Sequence, residues 1–314
     1  IKVVYDTYDS SETVDAKLIT GNSGYDAVVH AGSFTPRLIA AGVFEAIDRS
    51  RLTNYGHLDS DVLKTLESWD PGNKYAVPYM WGTTGITYNV DMIKERMPDA
   101  PLGSLDLIMK PEIISKFADC GISLLDSPLD VMPMVLSYLG LDPNTEDRKD
   151  YKKAQEALLK IRSHVTTFDN TNYLNAMPNK ERCIAMTWSG DYAVAASRAS
   201  EAGVDVNLAY FMPKEGTGAW FDVWVIPNDA PHKDAAHKWI NYMLRPDVIA
   251  KATNYIWYAN ANKDATELVD PDISGDKAVY PPKELVKTMY TQKTLPPKLE
   301  RARTRAWTAV KTGG

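Results

Sequence analysis

Two short segments pair an acid with an indole. Ile184-Ala185-Met186-Thr187-Trp188-Ser189-Gly190-Asp191 reads as a strand ending on Trp188, then a turn that carries Asp191 into a helix. Ala219-Trp220-Phe221-Asp222-Val223-Trp224 sets Trp220 and Asp222 two residues apart, and on an extended segment such residues face the same way. An indole face attracts an organic ammonium and its methylene chain, and a carboxylate beside it supplies charge-assisted hydrogen bonds. Plainer roles stand next to that one: Asp191 as a helix cap or turn acid, Asp222 as the partner of a nearby Lys or Arg. A third acid, Asp130 in Asp126-Ser127-Pro128-Leu129-Asp130, falls near a helix start, where the helix dipole favours an acid in any case.

Other chemistries are poorly provided for. Among His30, His57, His164, His232 and His237 no pair has the i, i+4 spacing of a helical metal site, so no metal is expected. His30 follows a strand and is placed to line a cleft, but it has no evident nucleophile as partner. The glycine motifs that cradle phosphate and the GxSxG motif are missing, so neither a cofactor nor a catalytic role is expected. Cys120 and Cys183 are too few for a structural zinc site; they read either as a disulfide from an oxidising compartment or as two separate buried thiols.

Composition narrows the classes further. The 314 residues are 44% hydrophobic and 24% charged, with a net charge of −6. That balance belongs to a globular protein and not to a disordered or coiled-coil chain. No block of Lys or Arg offers a nucleic-acid footprint, and no apolar run approaches the roughly 18 residues of a membrane span. Eight Trp and 17 Tyr stand against six Phe, an excess of rings with a polar edge. Such rings suit a site that is half apolar and half hydrogen-bonding, as well as an ordinary Trp-rich core.

The elements that must position these residues alternate between strand and helix. Ile1–Tyr5, Tyr25–Val29, Thr84–Tyr88, Ile122–Leu125, Ile184–Thr187, Asn207–Phe211 and Val223–Ile226 read as strands, most of them continuously apolar as in sheets covered on both faces. Helices are predicted over Leu129–Leu139 after Ser127-Pro128, over Asp147–Ser163, from Ala235 to Leu244, after Pro281-Pro282, and from Pro296-Pro297. The class is α/β. Tyr75–Asn89, punctuated by Pro78, Gly82 and Gly85, is too long for one ordinary strand and reads as a crossing between units; Gly216–Pro227 reads as a second. The predicted lobes are therefore discontinuous, residues 1–80 plus 222–265 and residues 81–221 plus 266–314, with a ligand cleft between them.

Several stretches together carry a resemblance: Tyr25-Asp26-Ala27-Val28-Val29, Pro78-Tyr79-Met80-Trp81-Gly82-Thr83-Thr84-Gly85-Ile86, Trp188-Ser189-Gly190-Asp191, Phe221-Asp222, and Trp257-Tyr258-Ala259-Asn260-Ala261-Asn262. With the closing Arg301-Ala302-Arg303-Thr304-Arg305-Ala306-Trp307, the chain resembles, end to end, the polyamine group of bacterial extracellular solute-binding proteins. Those are the putrescine- and spermidine-binding components of ABC importers. The resemblance implies a two-lobed type II periplasmic-binding-protein fold, a clamshell with hinge crossings. It implies a periplasmic monomer that binds a polyamine, hands it to an inner-membrane ABC permease and catalyses nothing. Carried over by position, Asp191 and Asp222 match the amine-binding carboxylates, and Trp188, Trp220 and Tyr258 match the aromatic walls. Asp130 falls at an acid near the far amine, Ser33 and Asn170 at polar contacts, and Cys120 with Cys183 at a disulfide.

Departures accompany the match. Such relatives begin with roughly thirty further residues, about one βα unit, so the expected fold lacks its first βα unit. His30 and Ala31 replace a usual Pro and Ser. Trp220 resembles binders of longer polyamines, whereas Ser127 lacks the extra acid those often carry. The competing readings are a receptor for another cationic solute or a sugar, an amine sensor, and a glycosidase using paired carboxylates.

Overall fold

The structure is a computed structural model that describes the whole chain except Asp9, Ser10, Lys287 and Thr288 and the side chains of Lys283 and Glu284. Nine strands are described: β1 Val28–Ala31, β2 Ala76–Asn89, β3 Ile122–Leu124, β4 Thr167–Phe168, β5 Ile184–Trp188, β6 Leu208–Phe211, β7 Gly218–Val225, β8 Ala259–Asn260 and β9 Tyr290–Thr291. The chain divides into two compact units, Ile1–Trp81 with Trp220–Asp276, and Gly82–Ala219 with Lys277–Gly314.

The stretch expected to be too long for one strand is one strand. β2 runs for 14 residues and passes from the first unit to the second between Trp81 and Gly82, so its length serves two cores. β7 makes the return passage between Ala219 and Trp220. Residues 266–276, assigned by the sequence to the second unit, group with the first. There the amide of Asp270 donates to Asn254 Oδ1 at 3.0 Å, and Ile273 is buried.

In the first unit β1 runs antiparallel to β7, with Val28 opposite Val225 and Ala31 opposite Asp222. β7 lies between β1 and β2 in the hydrogen-bonded order, and β8 pairs with β2. β1 sits three residues later than the apolar pattern predicted. That shift puts His30 on the same face as Val28, in the core. Ile1–Tyr5, predicted as a strand, is irregular and exposed: apolar character alone makes no strand where the backbone finds no ladder. The apolar faces of the helices Lys233–Met243 and Pro246–Ile256, with Ile240 and Ile249 buried, help to close this core.

In the second unit β2 is central. β5 pairs with it antiparallel, Thr84 opposite Trp188 and Tyr88 opposite Ile184, while β6 takes its other edge. β3 then runs parallel to both β5 and β4. The continuously apolar run of β5 is buried along Ile184–Met186, as expected of a strand covered on both faces. The helix Arg148–Ile161 follows from its pattern. Asp147 caps it through the amide of Lys149, and Tyr151, Ala154, Leu158 and Ile161 make its buried stripe. The helix Pro128–Tyr138 holds Pro133 inside it. Proline has no N–H to give the carbonyl four residues back, and that carbonyl, of Leu129, takes a hydrogen bond from Gln292 Nε2 at 2.5 Å instead.

Cys120 and Cys183 form a disulfide, Cα–Cα 5.5 Å, closing 63 residues of chain. The strand register explains the reach. Ile122 pairs with Ile184 where β3 and β5 begin, so the residues just before those strands arrive side by side. Replacing both cysteines by alanine is expected to cost about 4 kcal/mol of unfolding free energy through the freed loop. Urea denaturation of the variant against the oxidised protein measures it; matching midpoints would show that the bridge contributes nothing.

Candidate functional site

In the first unit the acid and the aromatics meet around β7. Trp220 and Asp222 stand two residues apart on it, and Tyr258 meets the Trp220 ring edge-on, centroids 5.0 Å apart at 69°. Tyr258 arrives there by a turn. The helix Pro246–Ile256 ends on Trp257 in the left-handed region, φ 59°, a conformation costing roughly 1–2 kcal/mol for a residue with a Cβ. Because Ala31 pairs with Asp222, the turn Gly32–Phe34 that holds Ser33 opens at the level of the carboxylate. Gly32 is needed in that turn, since a Cβ would meet the Trp69 ring at 2.7 Å and the Phe221 carbonyl at 3.0 Å.

Asp222 carries the first unit's electrostatics. Among the described residues no cation or hydrogen-bond donor offsets its desolvation, and burial pushes its carboxyl up to about 7. Its charge is felt by two phenols. Burial, then Asp222, then Tyr5 raise Tyr8, whose hydroxyl donates to the Val29 carbonyl; burial, Tyr5 and Asp222 push Tyr79 up to about 12. Neither tyrosine was legible as a site residue, because each reaches Asp222 only through the fold. His30 does not line a cleft. It is 0% exposed, packed against Phe34 and Phe44, with Nε2 3.9 Å from Asp15, and burial lowers its imidazole to about 4.

In the second unit the sequence paired Trp188 with Asp191, and the structure pairs it with Asp130. The register sets Thr84 beside Trp188, and both donate to one oxygen: Thr84 Oγ1 to Asp130 Oδ1 at 2.6 Å and Trp188 Nε1 at 3.4 Å. Ser127, just before the helix that carries Asp130, leaves its own cap unmade and donates to Asp130 Oδ2 at 2.6 Å. Burial raises the Asp130 carboxyl, and those three donors together with the charge of Arg303 work against the rise. Asp191 is the first residue of the helix Asp191–Glu201, and its carboxylate accepts the buried hydroxyl of Tyr173. Burial and the charge of Asp191 hold that phenol well above its ordinary range.

Asn170 follows β4. Its Nδ2 donates to the Asp126 carbonyl at 3.3 Å, and its Oδ1 is buried without a partner. Tyr210 packs its hydroxyl against Thr83 and stacks on Tyr192, centroids 5.9 Å apart. Gly85 admits that ring, since a Cβ there would come within 2.5 Å of the Tyr210 hydroxyl. Tyr173, Tyr210 and Thr84 are thus neighbours of the candidate acids that no local spacing announced, whereas Ser127 stands three residues before Asp130.

The chain matches the family model for bacterial extracellular solute-binding proteins over residues 1–281. It is 46% identical over 315 residues to the putrescine-binding periplasmic protein PotF of Escherichia coli (strain K12), covering 100% of this chain and 85% of that one. It is also 46% identical over 314 residues to the putrescine-binding periplasmic protein SpuD of Pseudomonas aeruginosa (strain UCBPP-PA14), covering 100% and 86%. Among solved structures, the spermidine/putrescine ABC transporter substrate-binding protein PotD from Streptococcus pneumoniae strain Canada MDR_19A matches with a TM-score of 0.83 and 26% identity, over 99% of this chain and 91% of that one.

The raised carboxyl of Asp222 fixes a sign. Folded, it holds its proton to about pH 7; unfolded, it releases it near 3.8, so its contribution to stability is present at low pH and is lost as pH rises through 7. Asp222→Asn removes that loss. Measured without ligand, the melting temperature of the variant relative to wild type is expected to climb between pH 5 and pH 8. A constant difference would mean that Asp222 titrates as an ordinary surface acid.

Proposed function

Because this chain belongs to the bacterial extracellular solute-binding proteins and has their two-lobed α/β fold, we propose that it binds a polyamine in the periplasm and delivers it to an ABC importer. The observation that carries the polyamine is Asp222: a half-buried, partly desolvated carboxylate with no cation beside it among the described residues, on the strand whose Trp220 pairs with Tyr258. A protonated alkylamine supplies what is lacking. Its ammonium group brings the charge and the donors, and its methylene chain covers the rings.

The second unit offers a further acid, Asp130, set against the Trp188 indole with hydroxyl donors and, unlike Asp222, with the charge of the buried Arg303 acting on it. The relatives named for putrescine agree with a ligand that is charged at both ends. Charge on a larger scale points the same way: the first unit holds 12 Lys and Arg against 20 Asp and Glu, a net of −8. A field of that sign draws small cations in and weakens as salt rises. The role is binding without turnover. The acids are set beside hydroxyls and rings.

Calorimetric titration with putrescine, spermidine, agmatine and maltose tests this reading. Amines should bind and maltose should not; heat from maltose alone would replace the polyamine with a sugar. Asp222→Asn is expected to cost about 2–5 kcal/mol of amine affinity. Since an ammonium favours the ionised carboxylate, amine binding expels the Asp222 proton, and affinity should fall about tenfold from pH 8 to pH 6. The Asn variant should lose that dependence. Unchanged affinity in the variant would remove Asp222 from the site.

A further inference from the structure

The closing helix Pro297–Thr312 packs against the helices Arg148–Ile161 and Pro128–Tyr138, and most of its buried residues do no more than fill that interface. Three of its side chains do more: the buried Arg303 acts by its charge on Asp130, and Trp307 and Lys311 hold Asp126. Trp307, 2% exposed, donates its indole N–H to Asp126 Oδ1 at 3.0 Å, and Lys311 Nζ reaches Asp126 Oδ1 and Oδ2 at 2.7 and 2.9 Å. The Trp307 ring also meets Phe168, the last residue of β4, edge-on at 5.1 Å. The helix is thereby fastened to the chain where it leaves two parallel strands, β3 and β4.

Asp126 is the junction. Its carboxylate is held by the closing helix, and its carbonyl accepts the side-chain amide of Asn170 from the neighbouring loop. The next residue, Ser127, holds Asp130 Oδ2. The amide N–H groups of Asp130 and Val131 return to the Ser127 carbonyl at 3.2 and 3.0 Å, so the first turn of that helix hangs from the same point. Two candidate ligand contacts therefore connect to the residue whose carboxylate the helix holds: Asn170 at its main-chain carbonyl, and Asp130 through Ser127 next along the chain, with Thr84 and Trp188 holding Asp130 as well. The Lys311–Asp126 pair is about one-third exposed on each side, and pairs of that kind contribute little to stability. What it supplies is position.

We infer that Trp307 and Lys311 are positioning residues for amine recognition, acting through Asp126 to set Asn170 and Asp130; this rests on the polyamine reading above. The step is local, through three hydrogen-bonded links in one unit.

Lys311→Met keeps the aliphatic stem and removes the ammonium; Asp126→Asn keeps the carbonyl and the shape and removes the charge. Each is expected to weaken putrescine binding about tenfold by calorimetry, with the ligand-free melting temperature nearly unchanged, and Lys311→Arg should restore most of the affinity. In a background of Asn170→Ala with Asp130→Asn, Lys311→Met should cost far less than it does alone. Wild-type affinity in Lys311→Met, or a full additive loss in that background, overturns the inference. The side-chain amide resonance of Asn170, followed by NMR without ligand, separates the two levels of the proposal. If wild-type protein binds no amine, the polyamine reading fails first. The placement step then stands only if Lys311→Met moves that resonance, and an unmoved resonance overturns it as well.

Discussion

A half-buried carboxylate with no cation beside it among the described residues is costly to hold, and in this chain it conditions much of what surrounds it. Asp222 has no compensating donor among the described residues, and the result is a carboxyl that keeps its proton to about pH 7. The rest of its neighbourhood tolerates the charge without cancelling it. Tyr8 spends its hydroxyl on the Val29 carbonyl, and Tyr79 is a neighbour whose phenol is driven up, partly by the acid. A stability-minded sequence would place an Arg there or remove the acid. Keeping neither option fits a group whose partner arrives from solution.

The strands explain why these groups fall where they do. In the first unit, the β1–β7 register puts Asp222 opposite Ala31, one residue before a turn that only glycine can begin against Trp69. In the second, the β2–β5 register puts Thr84 beside Trp188, so two donors converge on one oxygen of Asp130. A one-residue slip in either ladder would turn those side chains to the other face. The disulfide stands at the start of β3 and β5 and ties together the two strands whose far ends lead to Asp130 and Asp191.

Period and punctuation made most of this fold legible. The buried stripe of Arg148–Ile161, the apolar run of β5 and the long extended segment at β2 all appear in the sequence, and the crossing at Trp81–Gly82 falls inside the stretch that punctuation marked. Misreadings came where a local signal lacked a partner. Ile1–Tyr5 is apolar enough for a strand but forms no ladder, and His30 moved into the core because β1 begins three residues later than its apolar run. The acids and indoles of the candidate site were visible as residue types. Their partners were not, since Asp130–Thr84, Asp191–Tyr173 and Asp126–Trp307 join positions separated by 46, 18 and 181 residues. No window along the chain contains such pairs; only the sheet order and the closing helix bring them together.

The acids also differ in how much hydrogen-bonding capacity they keep. An ionised carboxylate offers about four acceptor positions. Asp130 commits three of them, to Thr84, Ser127 and Trp188, so its orientation is fixed and little is left for a guest beyond charge and one further bond. Asp222 commits none among the described residues and can take all the donors an ammonium end presents. On the polyamine reading the two acids therefore do different work. Asp222 leaves all its acceptor positions open to an ammonium, while the pre-oriented Asp130 can offer chiefly charge and one further bond. A difference of that kind makes sense of the care with which the fold holds Asp130, through Ser127 and the anchored Asp126, and of the freedom it leaves to Asp222.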